Sequence, residues 1–179
     1  MWARAMLISQ KHNFVFFCMP KCASNSIELM LKPHSEIHLR GRPQVRHTNV
    51  REYRTYIQPY LADVAGTTEL ETICLVREPV SWLNSWYRFR ARHDLRSGDH
   101  PHSTSHVDFE GFVEAYLAVP RPAFAAIGSQ YEFVRDAQGE TGVDRLFAYD
   151  DIPGLVDFFS KRVGRRLTLK TLNIGPGKV

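Results

Sequence analysis

One lysine, one cysteine and three small polar side chains crowd into the run Lys21-Cys22-Ala23-Ser24-Asn25-Ser26. A cation set among hydroxyl and carboxamide donors suits a tetrahedral anion, either phosphate or sulfate. Further along, Arg77 offers a planar guanidinium fork and Ser85 another hydroxyl. His47 is a side chain that exchanges a proton near neutral pH. Two neighbouring chemistries fail on spacing. A Walker A loop reads GxxxxGK[ST], with its lysine late and glycines ahead of it. Here Lys21 comes first and the turn holds no glycine. A cysteine phosphatase loop needs an arginine six positions after its cysteine, but Glu28 stands six after Cys22, and Ser24 six after Cys18. Cys22, although close to a helix start that could activate it, reads as a small residue in a tight turn.

These groups need a scaffold, and the flanking residues describe one. Phe14 to Cys18 is an apolar run suited to a strand covered on both faces. Pro20 stops it. Ile27, Leu29, Met30 and Leu31 begin an apolar helical face, with Ser24, Asn25 or Ser26 as its cap. The unpaired amides and partial positive charge of a helix N-terminus favour an anion at that turn. Lys32-Pro33 ends this helix.

The rest of the chain continues the alternation. Ala5 to Ile8 reads as a small edge strand, and residues 33–48 as polar and irregular. Thr48 or Asn49 caps a helix with Val50, Tyr53, Ile57, Tyr60, Leu61 and Val64 at helical spacing, closed by Gly66. Thr72 to Val76 is a second buried strand, running into Arg77-Glu78-Pro79 and a helix that reaches about Leu95. Trp82, Trp86 and Phe89 on that helix read as core. Residues 96–107, with His100, His102 and His106, read as a mobile loop able to close over a substrate rather than a metal site. Asp108 caps a further helix; Val143 to Tyr149 forms a third strand; Asp150 or Asp151 caps a last helix that Gly164 ends. Such alternation argues for a parallel sheet with helices on both faces. Ligands of such sheets bind beyond the carboxyl ends of the strands, where both the Lys21 turn and Arg77 fall and could face one ligand.

The totals set outer bounds. The 179 residues suffice for one domain with its own core. A net charge of +4 and a pI near 9.1 suit an anionic ligand but are too weak and dispersed to argue for nucleic acid. Three cysteines cannot make a disulfide framework, and Cys18 and Cys74 fall in apolar runs as core thiols. No stretch has the length of a membrane span or the apolar core of a signal peptide, so a cytoplasmic location is the expectation.

Taken together, FVFFCMPKCASNSIE and ICLVREPVSWLNSWYRF resemble the PAPS-dependent sulfotransferases. The later stretch SQYEFVRDAQGETGVDRLFAYDDIPGLVDFF is similar to their carbohydrate and glycosaminoglycan branch and its bacterial relatives, at Gln130, Tyr131, Asp144, Asp150 and, near the end, Asn173. The resemblance covers nearly the whole chain. It implies a P-loop-NTPase-like parallel sheet flanked by helices, as a single sulfotransferase-like domain over 1–179. It also implies 3′-phosphoadenosine 5′-phosphosulfate (PAPS) as co-substrate without a metal, and a hydroxyl or amine acceptor, with a carbohydrate as the expected one. Lys21, Cys22, Ala23, Ser24, Asn25 and Ser26 would then hold the 5′-phosphosulfate, with Lys21 at the bridging oxygen. Arg77 and Ser85 would hold the 3′-phosphate. His47, just before a helix, would be the general base, as relatives carry a catalytic histidine in this interval; Glu28 comes second, and His102 or His106 third. The turn departs from the family at Ala23 and Asn25, where Gly or Thr is usual, and the family's E-x-L reads Asp150-Asp151-Ile152. The short chain leaves room for an acceptor site shared across a homodimer. Two other readings stand beside this one: a non-catalytic nucleotide- or anion-binding module of the same fold, and a P-loop-like nucleotide kinase.

Overall fold

The computed structural model describes residues 6–67, 69–92 and 100–170. Five strands, β1 (Met6–Ser9), β2 (Phe14–Phe17), β3 (Ile37–Leu39), β4 (Glu71–Val76) and β5 (Arg145–Ala148), make one sheet in the order β3-β1-β2-β4-β5. β2, β4 and β5 run parallel, with Phe17 opposite Cys74 and Cys74 opposite Leu146. β1 runs antiparallel to both of its neighbours, with Leu7 opposite Phe16 and His38. The sheet is therefore mixed, not parallel throughout as the alternation implies. The cause is the connection: only Gln10 to Asn13 separate β1 from β2, and Asn13 turns the chain at φ +53°. So short a link makes a hairpin, whereas a parallel pair needs a crossover of roughly a dozen residues. Nor is β1 an edge, since all four of its residues are fully buried. The edges are β3, three residues from the stretch that reads as irregular, and β5.

Helices cover both faces of β2, which is why it is apolar without a break. Phe14 and Phe16 pack on Phe159 of the last helix, α8 (Ile152–Val163), at ring separations of 5.1 and 5.9 Å. Phe17 points to the other face. There it meets Tyr53 at 5.5 Å and Phe133 of α7 (Gln130–Val134) at 6.5 Å. Tyr53 belongs to a helix that begins as α3 (Val50–Glu52), widens through one π turn (Tyr53–Ile57) and continues as α4 (Gln58–Ala65). Asn49 and Glu52 close a reciprocal capping box at its start, each bond 2.9 Å, and Gly66 ends it at φ +61°. The π turn has a local reason. Pro59 has no N–H to give Thr55, and the ladder opens ahead of it so that Gln58 N–H donates to Tyr53 C=O.

The described residues group into two compact units, one from Met1–Val76 and Gln130–Val179 and one from Arg77–Ser129. The whole sheet lies in the first. The second is built on α5 (Pro79–Arg90) and α6 (Phe109–Leu117). Trp82 packs edge-on against Trp86 and Tyr116, as expected of core aromatics. The buried Arg90 donates to the carbonyls of Ala123 and Ala126 at 2.8 and 3.1 Å. Of the histidine-bearing segment expected to be a mobile loop, residues 100–107 are described, and they are hydrogen-bonded to α5. Thr104 Oγ1 donates to Tyr87 C=O at 2.9 Å, Tyr87 Oη donates to Val107 C=O at 3.1 Å, and Ser103 and Thr104 are buried. Small hydroxyl residues that reach backbone carbonyls tie 100–107 down, where composition alone reads as loose. Residues 93–99, with the expected helix end near Leu95, lie outside the described residues, as does Asn173.

Candidate functional site

β2 ends at Phe17, and the chain then makes the tight turn that carries Lys21. Lys21 and Ala23 both take left-handed backbone conformations, at φ +66° and +51°, while Cys22 between them has negative φ. For residues with a Cβ that conformation costs on the order of 1–2 kcal/mol each. Two left-handed residues flanking one of negative φ make a sharp, compact turn, and the Cys22 amide closes on Met19 C=O at 3.4 Å. Glycine, which usually signals such a turn, is absent, so its shape is not legible in the sequence.

α1 (Ser24–Leu31) follows at once. The expectation that Ser24, Asn25 or Ser26 caps it is not met. Its N-cap is Ala23, and no side chain caps it. The amides of Ser26 and Ile27 close on Ala23 C=O at 2.9 and 3.1 Å, while Ser24 Oγ donates to Met19 C=O inside the turn. Ser24 thus fastens the turn with its one hydroxyl proton. The opening of α1 thus has no side-chain cap, and Ala23 C=O serves its amides at Ser26 and Ile27. Ser24, Ser26 and Cys22 are buried; Lys21, Ala23 and Asn25 are half-buried and form the accessible lip.

His47 is brought to this same turn. The four-residue α2 (Pro43–Arg46) precedes it, and its Nδ1 lies 2.7 Å from Cys18 C=O, at the carboxyl end of β2. A carbonyl only accepts, so Nδ1 carries a proton in this contact. Glu28, the second candidate base, is 3.1 Å from Arg40, with its side chain 9% exposed. Its carboxylate is engaged by a guanidinium. Gln130, at the start of α7, accepts from Cys22 Sγ at 3.7 Å through Oε1, so that residue too reaches the turn.

The other motif residues do structural work. Asp144 Oδ2 accepts from both Thr72 N and Thr72 Oγ1 at 2.7 Å, locking the entry to β4. Tyr131 Oη donates to Gly139 C=O at 2.8 Å. Asp151 rather than Asp150 caps α8, accepting from Gly154 N at 3.1 Å. Cys18 and Cys74 are core thiols as expected, and burial first, then Cys22 and Cys18, pushes the Cys74 thiol well above its usual range. A polar cavity of about 500 Å³, lined by Asn13, Arg54, Gln58, Glu71, Thr72 and Asp144 among others, sits at the amino end of β4. That is the opposite end of the strands from the Lys21 turn.

In the second unit, Arg77 directly follows β4 in sequence, and its Nε donates to Ser81 Oγ at 2.8 Å. Glu78 caps α5 by accepting from Val80 N and Ser81 N at 2.8 and 2.7 Å, and those amides, Ser81 first, hold its carboxyl below the usual range. Ser85 stands one helical turn beyond Ser81, so Arg77, Ser81 and Ser85 share one side of this segment. The sequence reading named Ser85 and missed Ser81, which the same four-residue period would have found. His102 Nδ1 is 3.0 Å from Ala123 C=O and His106 packs edge-on against Phe124 at 5.0 Å, both within the second unit.

Among the described residues, no group of three or more His, Cys, Asp or Glu side chains is placed to hold a metal ion. Among them too, no helix is long and apolar enough to cross a membrane. No protein-family model matches the chain, and neither the curated proteins nor the solved structures yield a match.

Proposed function

We propose that the Lys21 turn is an oxyanion cradle and that the protein is a PAPS-dependent sulfotransferase of P-loop-like fold. The observation that carries this reading is the left-handed pair Lys21 and Ala23 in front of a helix with no side-chain cap, with His47 fixed to the carbonyl of Cys18 at the same strand end. Strain of this kind persists where the surrounding structure over-determines it, and it clusters at ligand clamps. A lysine beside a helix N-terminus suits a phosphosulfate better than a neutral ligand. The resemblance adds the 3′-phosphate, which it assigns to Arg77 and Ser85.

The proposed step is in-line. The acceptor oxygen attacks sulfur, and the bond from sulfur to the bridging phosphate oxygen breaks. Lys21 neutralises the charge growing on that oxygen. The acceptor proton passes to His47 Nε2, and 3′-phosphoadenosine 5′-phosphate leaves. A carbohydrate hydroxyl is the acceptor the resemblance favours.

Transfer of radiolabelled sulfate from PAPS to a panel of unsulfated glycans and simple sugars tests this. Transfer by the wild type should fall about a hundredfold or more in Lys21→Ala. It should fall similarly in His47→Ala, with loss of the acidic limb of the pH profile. Tight binding of the bisphosphate without transfer to any acceptor would favour a non-catalytic binding module instead.

A further inference from the structure

We propose that Gln130 is a positioning residue for the anion turn, acting through the thiol of Cys22. Cys22 is the middle residue of the left-right-left run and is 1% exposed. Its amide reaches Met19 C=O at 3.4 Å and its Sγ reaches Gln130 Oε1 at 3.7 Å, so the turn is tied both to its own start and to a distant element. That element is held firmly. Phe133, three residues after Gln130, packs on Phe17 at the end of β2, and Glu132 pairs with Arg51 at 3.3 Å. Gln130 therefore refers the turn to the sheet and to α3 at once. A turn made from lysine and alanine rather than glycine tends to relax from its left-handed states. A part-buried contact at its centre, on a thiol that is itself buried, opposes that relaxation. This role rests on the proposed function for its ligand but not for its geometry.

A double-mutant cycle over Cys22→Ala, Gln130→Ala and the pair tests the coupling, with Cys22→Ser as the conservative variant. Two readouts are taken: amide hydrogen exchange at residues 21–24, and affinity for 3′-phosphoadenosine 5′-phosphate. Each single variant should speed exchange at the turn and weaken the bisphosphate roughly threefold or more, the pair should be no worse than either single variant, and Cys22→Ser should stay close to wild type. Additive effects, or unchanged exchange at the turn in Gln130→Ala, would overturn the proposal. If the wild type binds no bisphosphate, the sulfotransferase reading fails, while the exchange cycle still decides the role of Gln130.

Discussion

At the scale of single residues, the Lys21 turn shows which information a side chain carries and which it does not. The charge of Lys21 and the hydroxyls around it are plain in the sequence. The backbone that organises them is not, because lysine and alanine give no sign of positive φ. Ser24 was legible as a polar turn residue, but its use inside the turn depends on where Met19 C=O ends up. His47 could be named from its type and its place before a helix, and its contact with Cys18 puts a proton on Nδ1. Ala23 also yields a prediction of its own. Its left-handed conformation is strained by a Cβ that glycine lacks, so Ala23→Gly should stabilise the protein by about 1 kcal/mol and raise Tm by about 2–4 °C in thermal unfolding. A lower Tm would mean that the turn is not strained in this way.

At the scale of elements, the parallel pair β2 and β4 was readable because strands buried on both faces become continuous apolar runs. The caps at Asn49, Asp108 and Gly164 were readable because each is a local motif. The antiparallel β1 and the three-residue β3 were not. A four-residue link dictates a hairpin only once both strands are recognised, and β3 is too short to show a period. The pairing of β2 with α8 depends on Phe159, which is fully buried and meets Phe14, Phe16 and Phe158 edge-on. Phe159→Ala should therefore cost about 3–5 kcal/mol, read as a lower urea midpoint with an unchanged slope. Loss below 1 kcal/mol would show that α8 is not anchored to the sheet through this ring.

At the scale of the whole molecule, the buried tyrosine under β2 links stability to alkaline pH. Burial, the dominant cause, raises the Tyr53 phenol from 10.0 to about 12; Arg54 opposes the rise and Asp144 adds to it. A pKa raised in the folded state gives stability that is complete below pH 10 and is lost as pH climbs from 10 through about 12. The loss should be on the order of 2–3 kcal/mol. Tyr53→Phe should flatten that part of the stability profile; an unchanged alkaline slope would place the titration elsewhere. The central claim concerns the ligand, and one measurement tests it most directly: calorimetric titration of the full chain with 3′-phosphoadenosine 5′-phosphate, with ATP alongside. The account predicts micromolar binding of the bisphosphate, much weaker binding of ATP, and loss of the bisphosphate in Lys21→Ala and in Arg77→Ala. Absence of bisphosphate binding, or equal affinity for ATP, would contradict it.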